Sequence, residues 1–175
     1  MAQKRDPLAD EFLPKGYELP DTSSFMKFVA GKNKFRILSS LVTGYEYWKM
    51  NEEGKDVPVR SREMPEDTSD GKVNPKSKKV DVNHFWLVAV WNYATESVQT
   101  LEITQKSIQK YILGLVNDPD WGKPQGYDIV VTKEGEGMST KYTVAANPHK
   151  ELPAEILEAY EKAGIDLNSV FEEKE

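Results

Sequence analysis

The stretch HFWLVAVWNY, residues 84–93, reads as a β-strand with no polar side. Strand side chains alternate, so Phe85, Leu87, Ala89, Trp91 and Tyr93 share one face, and His84, Trp86, Val88, Val90 and Asn92 share the other. A strand that covers a core on one side normally shows polar residues on its opposite side. Here one face must be core, and the second needs a covering loop or a ligand. The β-branched set around Trp86, Val88 and Val90 suits a tight interior. Phe85 and Trp91 are therefore expected on the ligand side, near Tyr47.

Working outward, ATES is a turn and VQTLEI, residues 98–103, is a second, alternating strand. TQKSIQKYILGLVND follows as a helix, with Thr104 as cap, Ile108, Ile112, Leu115 and Val116 on one face, and NDPDWG as its stop. YDIVVTK and KYTVAA form a hairpin through EGEGMST, and PAEILEAYEKA, residues 153–163, is a short helix with proline in its first turn. Upstream of the opening stretch, GKNK reads as a turn, followed by strands through FRILSSL and YEYWK. Residues 50–83 are polar and too long for an ordinary connection, which predicts a mobile functional loop or insertion. Strands, one helix after the middle strands and a closing hairpin make a mainly β chain, an OB-like small barrel with one inserted helix. Residues 1–24 read as an arm, 25–150 as the OB-like domain, and 151–175 as a C-terminal helix and acidic tail.

Composition suits that reading. At 175 residues, with 38% hydrophobic and 30% charged, the chain can bury one sizeable core. No apolar run approaches a membrane span or a signal-peptide core. The absence of cysteine removes disulfides and thiolate chemistry, and fits a reducing cytoplasm. Net charge is −6, but it is unevenly spread. Residues 1–80 carry 15 Lys+Arg against 13 Asp+Glu, residues 81–150 carry 6 against 8, and residues 151–175 carry 2 against 8. The deficit sits in the last stretch, beside a nearly neutral body.

Catalytic motifs are missing. His84 and His149 are far apart and lack metal-ligand spacing, and EGEG places carboxylates where a phosphate loop would need none. DPD at 118–120 is a turn. The expectation is a binding protein, with no enzyme activity, cofactor or metal.

The positive signal is cations interleaved with aromatic rings. Lys27, Lys32, Lys34, Arg36 and Lys49 face a single acid, Glu46, between Phe25 and Lys49, with Tyr45, Tyr47 and Trp48 beside them. GKVNPKSKKV adds Lys72, Lys76, Lys78 and Lys79 with no acid, and PVRSR adds Arg60 and Arg62. Single-stranded nucleic acid wants this combination, cations along its phosphates and flat rings under its unpaired bases. Lys34, Arg36, Tyr45, Tyr47, Trp48, Arg60, Arg62, Lys76, Lys78, Lys79, Phe85 and Trp91 form the candidate set.

KFRILSSLVTGYEYW, HFWLVAVWNY, VQTLEITQKSIQKYI, NDPDWGKPQGYDIVVTKEGEG and TKYTV together resemble bacteriophage single-stranded DNA-binding proteins of the OB-fold kind, over roughly residues 25–150. The resemblance implies coating of exposed strands with little sequence preference, in phage DNA replication, recombination and repair, in the host cytoplasm. It also implies an acidic tail that contacts replication or recombination proteins, matched here by Phe171, Glu172, Glu173 and Glu175. Some such proteins hold zinc in an early loop. Residues 50–83 contain no cysteine or histidine, so zinc is not carried over.

Two alternatives stay open. An OB-type peptide- or protein-binding adaptor would use the same apolar strand face without the basic flank. In the tail, residues 165–175 are expected to be dispensable for folding, and the competing view is that Leu167 to Phe171 pack on the barrel as a clasp.

Overall fold

The computed structural model describes residues 25–171. Among them, eight strands build one sheet: β1 (Phe25–Met26), β2 (Gly31–Ile37), β3 (Val42–Met50), β4 (Asp56–Ser61), β5 (Asn83–Asn92), β6 (Ser97–Ile103), β7 (Asp128–Glu134) and β8 (Lys141–Ala146). Two α-helices join them, α1 (Lys106–Asn117) and α2 (Ala154–Ala163). Neighbours run β1-β6-β5-β2-β7-β8, with β3 also on β5 and β4 on β3. Only the β1–β6 pair is parallel. Strands β2, β5, β6, β7 and β8, with α1 between the third and fourth, follow the OB order, and the β3–β4 hairpin is inserted in the first connection. The ladder does not close into a complete barrel.

The opening strand is the centre of this sheet. β5 pairs with β2, β3 and β6, and Trp86, Val88 and Val90 face inward. They pack with Phe35, Leu101, Ile103, Ile129 and Val131, and α1 closes one end of the core with Ile108, Ile112 and Leu115. Those three recur at helical spacing, so burying them is what makes α1 amphipathic. Val116, expected on the same face, is 40% exposed. Gln109 is buried instead, and its side-chain amide donates to the carbonyls of His84 and Ile103, which anchors α1 to the strands before it. The residue before α1 is Gln105 rather than Thr104, and no side chain caps the helix.

The structure departs from the sequence reading in two segments. GKNK is not a turn but the start of β2, where Asn33 is buried and donates to the carbonyls of Val29 and Val131. Residues 50–83 contain β4, whose Pro58 is tolerated because β4 is an edge strand paired only with β3. The rest of the segment is tied down locally. Tyr47 donates its hydroxyl proton to Asp70 (2.8 Å), and the Lys72 amide donates to the Trp48 carbonyl (2.7 Å). A Val73–Val80 bridge then closes a small turn that carries the lysines.

The second face of β5 is covered by the chain itself. Gly164 ends α2 in a left-handed conformation, at φ 55°. A 3-10 turn, Leu167–Phe171, then lies against Phe85 and Leu87, with Val42, Ile165 and Val170 filling in around them. Leu167 to Phe171 thus pack on the sheet as the clasp reading has it, with Leu167 buried. Among the described residues no helix is long and apolar enough to cross a membrane.

Candidate nucleic-acid interface

OB domains present oligonucleotides on the outer face of their second and third strands, flanked by the loops after the first and fourth. Here those strands are β5 and β6, and the first loop is the β3–β4 hairpin with residues 62–82. Register places Glu46 opposite Asn83, Gly44 opposite Phe85, Val42 opposite Leu87, and Arg36 opposite Trp91. Alternation then puts Trp48, Glu46, Gly44, Phe85, Leu87, Ala89, Trp91, Arg36 and Lys34 on one continuous outer face. Trp48 stands at one end and Lys34 at the other.

The lysine turn is the most accessible part. Lys76, Lys78 and Lys79 are exposed, and none of them forms an ion pair with a described residue. The turn holds its shape through backbone bonds between Asn74 and Lys79 and between Lys78 and Asn74, each 2.8 Å, and the Asn74 amide donates to Asp81. Lys78 adopts φ 59°, a left-handed conformation that closes the turn. Trp48 is 41% exposed beside it, on an open groove of about 420 Å³ that Lys72, Pro75 and Asn83 also line, together with two carboxylates, Asp56 and Asp81. Lys72 is offset by Asp56 at 2.9 Å and Lys49 by Asp70 at 3.8 Å. The net positive surface is therefore the tip, not the base.

At the far end of the face Lys34 lies 4.6 Å from the centre of the Tyr93 ring, and its side chain remains 45% exposed. Trp91 is half-buried alongside. Tyr93 donates its proton to Asp128 (2.7 Å), and burial together with that carboxylate pushes its hydroxyl pKa up to about 12. Tyr47 is raised likewise to about 12, chiefly by its bond to Asp70.

Several expected contacts are spent on the fold. Arg36 is fully buried; its guanidinium donates to Asp128 at 2.8 Å and to the carbonyls of Gln125 and Lys150 at 3.0 Å each. It has no face left for phosphate. Phe85 is fully buried beneath the clasp, so it does not lie on an open ligand side. Tyr47 is buried under Gly71 and Asp70 as the anchor of the loop. Tyr45 is half-buried, with its ring 4.9 Å from that of His84.

Arg60 and Arg62 occupy intermediate positions. Arg60 donates to Glu46 (3.1 Å) and Glu102 (3.3 Å), so two carboxylates share one cation. Burial, then the neighbouring Glu102, raise the Glu46 carboxyl to about 7, with Arg60 pulling the other way. Arg62 is exposed, but it donates to Asn168 (2.8 Å) and lies 4.4 Å from the centre of the Phe171 ring. Phe171 itself sits 5.9 Å from the Phe85 ring, a seat within the molecule rather than a free anchor. Glu172, Glu173 and Glu175 lie outside the described residues. The histidines have structural surroundings, His149 stacking on Trp121 at 5.5 Å and His84 against Tyr45.

Residues not anticipated for the face are Tyr93 and Asp128, which fix Lys34, and the clasp residue Asn168. Only Tyr93 carried a signal, as the end of the opening stretch.

No family model and no solved structure matches the chain. Among curated proteins it is similar to a "Probable ssDNA-binding protein" of Escherichia phage T5. The two are 27% identical over 142 residues, covering 71% of this chain and 55% of the relative. The chain thus spans about half the length of the protein it matches.

Proposed function

We propose that the chain binds single-stranded DNA without sequence preference, through the lysine turn and the open ends of the outer sheet face, around Trp48 and Trp91. The observation that carries the reading is the display of Lys76, Lys78 and Lys79, free of carboxylate partners among the described residues, next to the exposed Trp48. Cations follow the phosphates while a ring receives a base, which requires no particular sequence. The OB-like strand order and the similarity to the phage T5 protein support the same conclusion. The role is binding without catalysis, coating strands exposed in phage DNA replication, recombination and repair, with the acidic residues after the clasp, Glu172, Glu173 and Glu175, as the segment that meets partner proteins. An electrophoretic shift with single-stranded and duplex oligonucleotides, at low and at physiological salt, tests it. Retention of the single strand that weakens with salt supports the reading, and equal retention of duplex contradicts sequence-blind single-strand coating.

A second reading has an observation of its own. Leu41, Leu113 and Val116 are exposed around a groove of about 380 Å³ between α1 and the β2–β3 connection. An adaptor would hold an apolar peptide there, and its binding would be nearly insensitive to salt.

A further inference from the structure

The clasp ends on a flat ring placed midway along the proposed binding face. Phe171 is the last described residue; its ring lies 5.9 Å from Phe85 at an interplanar angle of 31°, and the Arg62 guanidinium covers it at 4.4 Å. Room for the ring comes from Gly44. A Cβ built there would stand 2.9 Å from Phe171 Cε1 and 2.6 Å from Phe85 Cζ, closer than real side chains approach. Bare backbone, an aromatic floor and a guanidinium cover are the requirements of a seat for a nucleobase.

We propose that this seat takes one base of single-stranded DNA, and that Phe171 is its internal stand-in, withdrawn when the strand binds. The inference rests on the single-stranded DNA reading above and adds to it a specific base site and the element that guards it. Phe171 can leave alone. It is only half-buried at the end of the turn, whereas Leu167 is buried and keeps the clasp attached. A base stacking on one aromatic face gains about as much as a half-buried phenylalanine loses on leaving. The exchange is therefore close to balanced, and removing the stand-in shifts it measurably. Withdrawal also frees the Arg62 guanidinium from the Phe171 ring, so that it can cover a base seated on Phe85.

The test uses the full chain with oligo-dT carrying iododeoxyuridine, in three forms: the parent, Phe171→Ala, and Asn168→Ala. Asn168 is exposed, so its replacement loosens the clasp at Arg62 without opening a cavity. Both variants should bind about three- to tenfold tighter than the parent, and photocrosslinking to the peptide containing Phe85 should rise in both. If the parent binds and both variants match it in affinity and crosslinking, Phe171 is a structural clasp only and the base seat is overturned. If neither the parent nor the variants bind the oligonucleotide at low salt, the single-stranded DNA reading itself fails, and the seat with it.

Discussion

Arg36 and Asp128 form a buried ion pair, Nε to Oδ1 at 2.8 Å, beneath the face where the sequence pointed to an exposed cation. Tyr93 and Lys34 close over the same carboxylate from the solvent side. The pair joins β2 to β7 and, through the Lys150 carbonyl, fixes the chain that leaves β8. Removing one partner strands a buried charge, at a cost of about 3–5 kcal/mol. Arg36→Ala should therefore lower the melting temperature by on the order of 10 °C, whereas a phosphate contact would leave stability intact. Thermal unfolding monitored by circular dichroism distinguishes the two.

Lys76, Lys78 and Lys79 should behave in the opposite way. Neutralising any one of them should leave the melting temperature unchanged and weaken every single-stranded sequence alike. Each should make the slope of log K against log salt shallower by about 0.7 on a single strand. A change that depends on base sequence would place the lysines at base edges instead.

Three of the four tryptophans, Trp48, Trp86 and Trp91, should divide by burial. Trp48, 41% exposed beside the lysine turn, should supply the largest part of any fluorescence quench by oligo-dT, and Trp48→Ala should stay folded. Trp91 is half-buried and should supply less. Trp86 is in the core, so Trp86→Ala should cost about 3–5 kcal/mol of stability. Equilibrium denaturation and quench titrations on the three variants read this directly.

These assignments show what local sequence carried and what it did not. Alternation gave the faces of β5, and 3.6-residue spacing gave the buried stripe of α1, because each pattern is complete within one element. The run of lysines between residues 72 and 79 was legible for the same reason, but the turn that displays them was not, because the stretch read only as part of a mobile loop. The burial of Arg36 depends on Asp128, 92 positions away, and the covering of Phe85 depends on Phe171, 86 positions away. No window of sequence contains either pair. A two-sided apolar strand announced that something covers it, without saying what.

Glu46 should make stability depend on pH. Its carboxyl is raised to about 7, so between the ordinary carboxylate value and that point the folded chain holds a proton that the unfolded chain releases. The stabilisation is complete below about pH 4.5 and is lost as pH rises through about 7, at a cost on the order of 3 kcal/mol. Glu46→Gln cannot lose that proton. The parent's melting temperature should fall by several degrees between pH 5 and pH 8, about 2–4 °C for each kcal/mol, and the variant's should fall much less. Parallel profiles would show that Glu46 is not the titrating group.

The most direct measurement is the affinity of the full chain for oligo-dT as a function of salt, with duplex of equal length as competitor. Each phosphate neutralised on a single strand contributes about −0.7 to the slope of log K against log salt, so Lys76, Lys78 and Lys79 predict a slope of about −2 or steeper. The account predicts that slope, with duplex competing poorly. A flat salt dependence, or duplex competing as well as the single strand, would contradict it.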